Sequence, residues 1–291
     1  MTLTADAGSW SVVTGASSGI GSALAEQLAD RGHDLVLVAR RTDRLREIAD
    51  RLTGKYGVTV EVVGCDLSDR AARAEFVENL RTRTISVLCN NAGFPVCGTV
   101  ADADSAAQIR EVEVNVVAMH ELTQAVLPGM LARRRGAILI TGSNAGEQPV
   151  PTAAVYAASK AFTNSFAEAL HQELRGTGVT CTVLAPGPVL TEFSRVGGVA
   201  AIERHRIFVW LSAERVAREA LEGLSRGHRM VIPGLMAKTQ AYTGRYIPRS
   251  LLFPILRIFI LPRLRSALRQ QLPESECART ASASAAGGQR D

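Results

Sequence analysis

Thr14-Gly15-Ala16-Ser17-Ser18-Gly19-Ile20-Gly21 is the stretch that decides the fold. It follows an apolar run, Trp10 to Thr14, that reads as a strand, and it opens a helix from about Ile20 to Asp30. Strand, glycine-rich turn and helix in that order make the first half of a dinucleotide-binding unit. Glycines let the backbone turn sharply and approach a pyrophosphate, whose charge the helix N-terminus favours. The spacing is G-x-x-x-G-x-G rather than the G-x-G-x-x-G of the general fingerprint. A Gly/Ser-rich turn with no ligand is the alternative.

Outward from this turn the chain alternates. Leu35 to Val38 is a buried apolar run, followed by a charged helix from about Thr42 to Leu52. Val58 to Val63, Ile85 to Cys89, Ala137 to Thr141 and Val179 to Ala185 read as further strands, with helical stretches near 105–133 and 152–175. Ser212 to Leu224 reads as one more helix and Met230 to Ile232 as a last strand. The alternation predicts an α/β fold, a doubly wound parallel sheet with helices on both faces. Residues 1–8 are expected to be a flexible N-terminus and 9–235 the dinucleotide-binding domain. A helical extension over 236–272 and a disordered tail over 273–291 complete the expected organisation.

Composition narrows the function. The five cysteines are odd in number and lack C-x-x-C spacing, and the five histidines do not cluster, so neither a disulfide framework nor a metal site is expected. Met1 to Ser9 has neither a basic stretch nor an apolar run, so no secretory leader is read and a cytoplasmic location is expected. The formal charge of +5 is local: Gly223 to Pro273 holds nine basic residues and no acidic one. That pattern bears on what the C-terminal segment touches, not on the core, and nucleic acid is not an expected partner.

The end of the second strand sets the cofactor type. An acid there would bind the ribose 2′-hydroxyl of NAD, and an arginine would accommodate the 2′-phosphate of NADP. Here the strand ends Val38-Ala39-Arg40-Arg41, and Asp34 stands at its other end. Arg40 can make a bidentate, charge-assisted contact to a phosphate. This favours NADP(H) over NAD(H), the alternative being two arginines that only solvate a helix start.

Tyr156-Ala-Ala-Ser-Lys160 carries the chemistry. Of 33 basic residues only Lys55, Lys160 and Lys238 are lysine. Lysine is a compact charge that shifts its pKa, whereas arginine is a fixed fork, so a lysine in this composition marks a place where arginine does not serve. Four residues apart on a helix, the Tyr156 phenol and the Lys160 ammonium lie on one face.

The glycine turn, Asn90-Asn91-Ala92-Gly93, Asn115, Ser143, Tyr156, Lys160 and Pro186-Gly187-Pro188-Val189-Leu190-Thr191 occur in this order. Together they resemble the short-chain dehydrogenase/reductase family in its compact single-domain form, over about residues 8–235. The resemblance implies a seven-stranded Rossmann-type sheet, a nicotinamide cofactor and a catalytic tetrad of Asn115, Ser143, Tyr156 and Lys160. It also implies that Gly15, Ser17, Ser18, Gly19, Ile20 and Gly21 cradle the cofactor. Arg40, Asp66, Leu67, Asn91, Ala92, Gly93, Tyr156, Lys160, Pro186, Gly187, Val189 and Thr191 are the remaining implied contacts. Asp66 would bind the adenine amine, with a helix N-cap as its structural alternative. Asn115 would bend its helix and hold a water linking Lys160 to solvent. Ser18 stands where many NADP-preferring relatives have a basic residue.

Reduction of a carbonyl needs a hydride from the nicotinamide and a proton on the oxygen, and Tyr156 can give that proton. Poising a phenol of ordinary pKa near neutrality requires about 4 kcal/mol. A cation at about 5 Å and an effective dielectric near 20 gives roughly 3 kcal/mol. Lys160 is therefore expected to supply most of the shift. Ser143 can donate to the substrate oxygen, or serve as an ordinary turn serine.

The expected protein is an NADP(H)-dependent oxidoreductase interconverting a ketone or aldehyde and an alcohol on an apolar ketoacyl, steroid or similar substrate. The alternative is an inactive dinucleotide-binding regulatory or structural protein. Glu192 to Trp210 has the composition of a lid. The apolar and arginine-rich 245–269 segment could lie on a membrane surface, close over the site or bury itself in a subunit contact. The alanine-rich helix carrying Tyr156 points to a homodimer or homotetramer.

Overall fold

A computed structural model describes residues 3–192 and 210–255. The glycine turn joins β1 (Trp10–Thr14) to α1 (Gly19–Ala29). There follow β2 (Asp34–Ala39), α2 (Thr42–Tyr56), β3 (Val60–Gly64), α3 (Arg70–Arg81) and β4 (Ile85–Asn90). The second half holds α4 (Ser105–Val112), a π-helical turn (Glu113–Ala118), α5 (Met119–Ala132), β5 (Gly136–Thr141), α6 (Ala154–Glu173) and β6 (Val179–Leu184). A short parallel pair, β7 (Val189–Leu190) and β8 (Leu211–Ser212), precedes α7 (Ala213–Ser225) and β9 (Met230–Val231). The described extension is α8 (Leu235–Tyr246) and α9 (Arg249–Ile255).

Seven strands form one parallel sheet in the order β3-β2-β1-β4-β5-β6-β9, the doubly wound sheet that the alternation predicts. Successive side chains on a strand face opposite ways, so each central strand feeds two cores. Val12, Leu88, Ile138 and Val183 pack with α3, α5 and α6. Val13, Leu37, Cys89 and Leu139 pack with α1, α2 and α7. Burial on both faces explains the unbroken apolar runs at Leu35 to Val38 and Ile138 to Ile140.

Three features depart from the sequence reading. Helix α3 was not anticipated, because only Phe76, Val77 and Leu80 supply its apolar stripe; the Asp69 side chain caps it by accepting from the Ala71 and Ala72 amides. The β7–β8 pair is too short for periodicity to show. The stretch 105–133 is two helices joined by the π-turn that contains Asn115. Such bulges cluster at functional sites.

Arg73 fixes that turn from below. Its side chain is 2% exposed; Nε donates to Glu121 Oε2 at 2.7 Å and Nη1 to the Leu67 carbonyl at 2.7 Å. Nη2 stands 2.9 Å from Glu113 Oε2, an ion pair outside hydrogen-bond geometry. One buried cation thus ties α3 to the start of the π-turn and to the first turn of α5. Removing a member of a buried pair costs about 3–5 kcal/mol, and the partly exposed carboxylates reduce that here to roughly 2–3 kcal/mol. Arg73→Met is expected to lower unfolding free energy by that amount in urea titration; an unchanged midpoint would mean that the clamp is idle.

Candidate active site

The strand order reverses between β1 and β4, and the chain's polar motifs gather in the crevice there. Thr14 Oγ1 accepts from the Asn91 and Ala92 amides, both at 3.0 Å, and Asn91 Nδ2 donates to the Thr14 carbonyl at 3.0 Å. The glycine turn and Asn91-Ala92-Gly93 are therefore one rigid wall. A Cβ at Gly15 would meet Ala92 Cα at 2.9 Å, and one at Gly21 would meet the Gly15 carbonyl oxygen at 2.3 Å. Gly19 has φ +56°, and a Cβ there would meet the Thr191 side chain at 2.9 Å. Thr191 thus stands over the turn, while Ile20 packs into the core below it.

Ser18 occupies the N-cap of α1 in extended conformation, yet its hydroxyl makes no cap bond to the helix. It accepts instead from Arg41 Nη2 at 2.8 Å, and Ser17 Oγ accepts from Arg41 Nε and Nη2. The first-turn amides are left without a side-chain cap, and no acid lies in that turn. Open amides at the positive end of the helix dipole form an anion cradle that fits a dinucleotide pyrophosphate, and the Arg41 guanidinium stands at its rim.

Arg41, which sequence reasoning passed over, is the arginine above the turn. Arg40 is 69% exposed and stands 4.0 Å from Asp66 Oδ2. Arg41 and Arg44 both donate to the Glu192 carboxylate at 2.7 Å. Asp66 accepts from the amide and hydroxyl of Ser68, so the N-cap role falls to Asp69. Leu67 is buried beside it and offers its carbonyl to Arg73.

The tetrad residues converge from β5, the π-turn and α6. A hydrogen bond joins the Ser143 hydroxyl to the Tyr156 phenol. Ser143 Oγ also accepts from the Ala145 amide at 3.1 Å, so it is a turn serine and a phenol partner at once. Lys160 is 3% exposed, donates to the Thr141 carbonyl at 2.7 Å, and lies 5.9 Å from the Tyr156 ring centre. Both amide hydrogens of Asn115 are used, toward the Phe94 carbonyl and Ser159 Oγ, and its Oδ1 accepts from the Phe94 amide. Its side chain therefore clamps the segment after β4.

The electrostatics correct one expectation. Burial pushes the Tyr156 phenol up to about 12, against the hydrogen bond from Ser143. Burial also pulls Lys160 down to about 8, opposed by the nearby carboxylate of Glu111. The sequence estimate counted attraction and left out desolvation, which outweighs it among the protein's own groups. Glu111 was not anticipated: it is wholly enclosed, and burial raises it to about 7.

Pro186 accepts from the Asn144 amide at 3.1 Å, and Gly187 lies against Ala237 of α8, where a Cβ would meet it at 2.9 Å. Val189 pairs with Leu211. The extension thus touches the turn that ends the motif. Of the expected lid only Glu192 and Trp210 are described; residues 193–209 and 256–291 lie outside the described residues.

With the geometry established, the family profile for short chain dehydrogenase matches residues 9–197. The chain belongs to the short-chain dehydrogenase family. It is 35% identical over 195 residues to a very-long-chain 3-oxoacyl-CoA reductase of Anas platyrhynchos, covering 65% of this chain and 62% of that protein. It is 38% identical over 214 residues to sulfoacetaldehyde reductase 2 of Chromohalobacter salexigens, covering 71% of this chain and 84% of that protein. A short-chain dehydrogenase from Sphingobium yanoikuyae in complex with NADPH superposes with TM-score 0.75 at 32% identity, covering 84% and 95% of the two chains. Among the described residues no helix is long and apolar enough to cross a membrane, and no cluster of metal-ligating side chains occurs.

Gly21→Ala tests the cradle's packing. Alanine gains about 1 kcal/mol of helix propensity, but overpacking against a backbone oxygen costs about 1–3 kcal/mol. A net loss of stability in thermal melts is expected, and a gain would mean that the turn has room the geometry denies.

Proposed function

We propose that this short-chain dehydrogenase interconverts a ketone or aldehyde and an alcohol with NADP(H), using Tyr156 as general acid and base. The reading is carried by the contact of Ser143 and Tyr156 above a buried Lys160, three groups from two elements meeting at the carboxyl edge of the sheet. When bound, the dinucleotide supplies or takes the hydride. Tyr156 gives its phenolic proton to the oxygen of the carbonyl as that oxygen gains charge. Ser143, whose hydroxyl holds the phenol in the free protein, turns its single O–H to the same oxygen when the substrate is bound. Lys160, held by Thr141, places a cation beneath the phenol and favours its ionised form. Asn115 holds the Gly93–Phe94 backbone against Lys160: a Cβ at Gly93 would stand 3.3 Å from Nζ. Gly15, Ser17, Ser18, Gly19, Ile20, Gly21, Arg41 and Thr191 are assigned to the cofactor phosphates and nicotinamide end. Arg40, Asp66, Leu67, Asn91, Ala92, Gly93, Pro186, Gly187 and Val189 are assigned to its remaining contacts.

The apolar class of substrate is supported by Leu235, Met236, Tyr242 and Tyr246, all exposed on α8 beside Gly187. The names of the relatives, an oxoacyl-CoA reductase among them, support the same class. A second copy docking on α6 is supported by Phe162, 45% exposed and stacked on Phe166.

NADPH consumption over a panel of ketones, wild type against Tyr156→Phe, tests the reading. The variant is expected to lose roughly 10²–10⁴ in kcat, the usual worth of a positioned general acid. Equal rates would remove Tyr156 from the mechanism, and no turnover of any carbonyl by wild type would favour a regulatory dinucleotide-binding protein.

Fluorescence titration tests the cofactor. A charge-assisted contact contributes about 1.5–3 kcal/mol, and Arg41 is 44% exposed, so Arg41→Ala is expected to weaken NADPH about tenfold and leave NADH unchanged. Equal weakening of both dinucleotides would place Arg41 on the pyrophosphate alone.

A further inference from the structure

Glu111 is a buried carboxylic acid that the proposed reaction does not use. It lies on α4, four residues before Asn115, and has no exposed surface. Oε2 accepts from the Val96 amide at 3.2 Å, while Oε1 is enclosed with no hydrogen-bond partner. Asn115 grips Phe94 and Glu111 grips Val96, so one helix face holds the segment after β4 at two points. Lys160 stands against the same segment beside Asn115: a Cβ at Gly93 would stand 2.9 Å from Asn115 Oδ1 and 3.3 Å from Lys160 Nζ.

An enclosed carboxylate with an empty oxygen costs several kcal/mol unless it is protonated or faces a cation. The titratable groups that face Glu111 are Lys160 and Tyr156 from α6 and Cys97 from the segment after β4. On its own helix Arg110 pairs with Asp104, and in the π-turn that follows Glu113 pairs with Arg73. Among the described residues Lys160 is thus the cation available to it. Burial raises the acid and lowers the amine until they nearly meet, at about 7 and about 8. A proton passes between groups so matched at little cost. Zero exposure also argues against a substrate contact: this oxygen reaches no cleft.

We propose that Glu111 is a positioning residue of the reaction, an enclosed acid that restores the Lys160 ammonium after Lys160 has given its proton toward the Tyr156 phenolate. The inference rests on Tyr156 being the proton donor. In the reductive direction the phenolic O–H bond breaks and the proton joins the substrate oxygen. The phenolate draws a proton from the Lys160 side, leaving the neutral amine. The carboxyl O–H of Glu111 then breaks and its proton recharges the amine; the carboxylate regains a proton from solvent in a separate step, which its enclosure makes slow. One solvent proton enters per hydride transferred.

Glu111→Gln keeps the size and an acceptor for the Val96 amide. With the ketone that the panel finds fastest, wild-type kcat is expected to fall as pH rises through neutrality, because the protonated acid is the active form. In Glu111→Gln that inflection disappears and kcat at low pH drops roughly tenfold or more, as expected for a lost proton donor. KM for NADPH stays within twofold, and Glu111→Asp restores part of the inflection. Profiles of wild type and Glu111→Gln that superimpose, while Tyr156→Phe is inactive, would overturn the proposal and leave the reaction intact. If wild type reduces no ketone, infrared titration of the cofactor-free protein decides. A protonated-carboxyl band that titrates near neutrality, vanishes in Glu111→Gln and moves to higher pH in Lys160→Met supports the coupling. A band that is absent, or that Lys160→Met leaves in place, overturns it.

Discussion

A parallel sheet delivers the carboxyl end of every strand to one edge, and where its order reverses two of those ends splay apart. Between β1 and β4 this protein holds the split with one hydroxyl: Thr14 Oγ1 accepts two amides from the chain leaving β4 and approaches the Cys89 carbonyl. The wall of the cradle, the glycine turn above it and the Gly93–Val96 segment all take their position from that junction. Glycine is required at 15 and 21 because two backbones meet there, not merely because the chain turns.

The same junction encloses Lys160 and Glu111. Lys160 and Glu111 lie behind the Gly93–Val96 segment, clamped from the π-turn by Asn115 and from α4 by Glu111 itself. Charges are costly there, so their protonation states become adjustable, which is the use that an enclosed site makes of burial. Arginine could not share in this. It would stay ionised, and its broad fork would have to fit where one ammonium donates to the Thr141 carbonyl at 2.7 Å. The shortage of lysine elsewhere in the chain and its retention at 160 thus have one physical reading.

What the sequence made legible was local or periodic. The glycine spacing, the doubly buried strands and the i, i+4 placement of Tyr156 and Lys160 depend on neighbours in the chain, and the structure places them as read. Helix α3 was missed although Asp69 before Arg70-Ala-Ala marked its start. Glu111 could not be read: beside Arg110 and Glu113 it has the neighbours of a surface residue, and only the packing of α4 on α6 buries it. The phenol's environment was misjudged for a related reason, since a pairwise attraction can be estimated from spacing and a desolvation cost cannot.

The choice between Arg40 and Arg41 shows where local reading ends. The two are adjacent, equally charged, and stand where an arginine was expected. What separates them is one backbone conformation: Arg41 leaves β2 with φ −86° and ψ 79°, neither strand nor helix, just before α2 begins. That turn swings its guanidinium over Ser17 and Ser18 and leaves Arg40 toward Asp66. Glu192 then occupies the outer side of Arg41 and Arg44, one residue beyond Thr191. A phosphate approaching from solvent meets a guanidinium already aligned by two hydroxyls but shared with a carboxylate. Exposed pairs of this kind contribute little each, so the Glu192 carboxylate holds Arg41 weakly while the serines keep the fork in place.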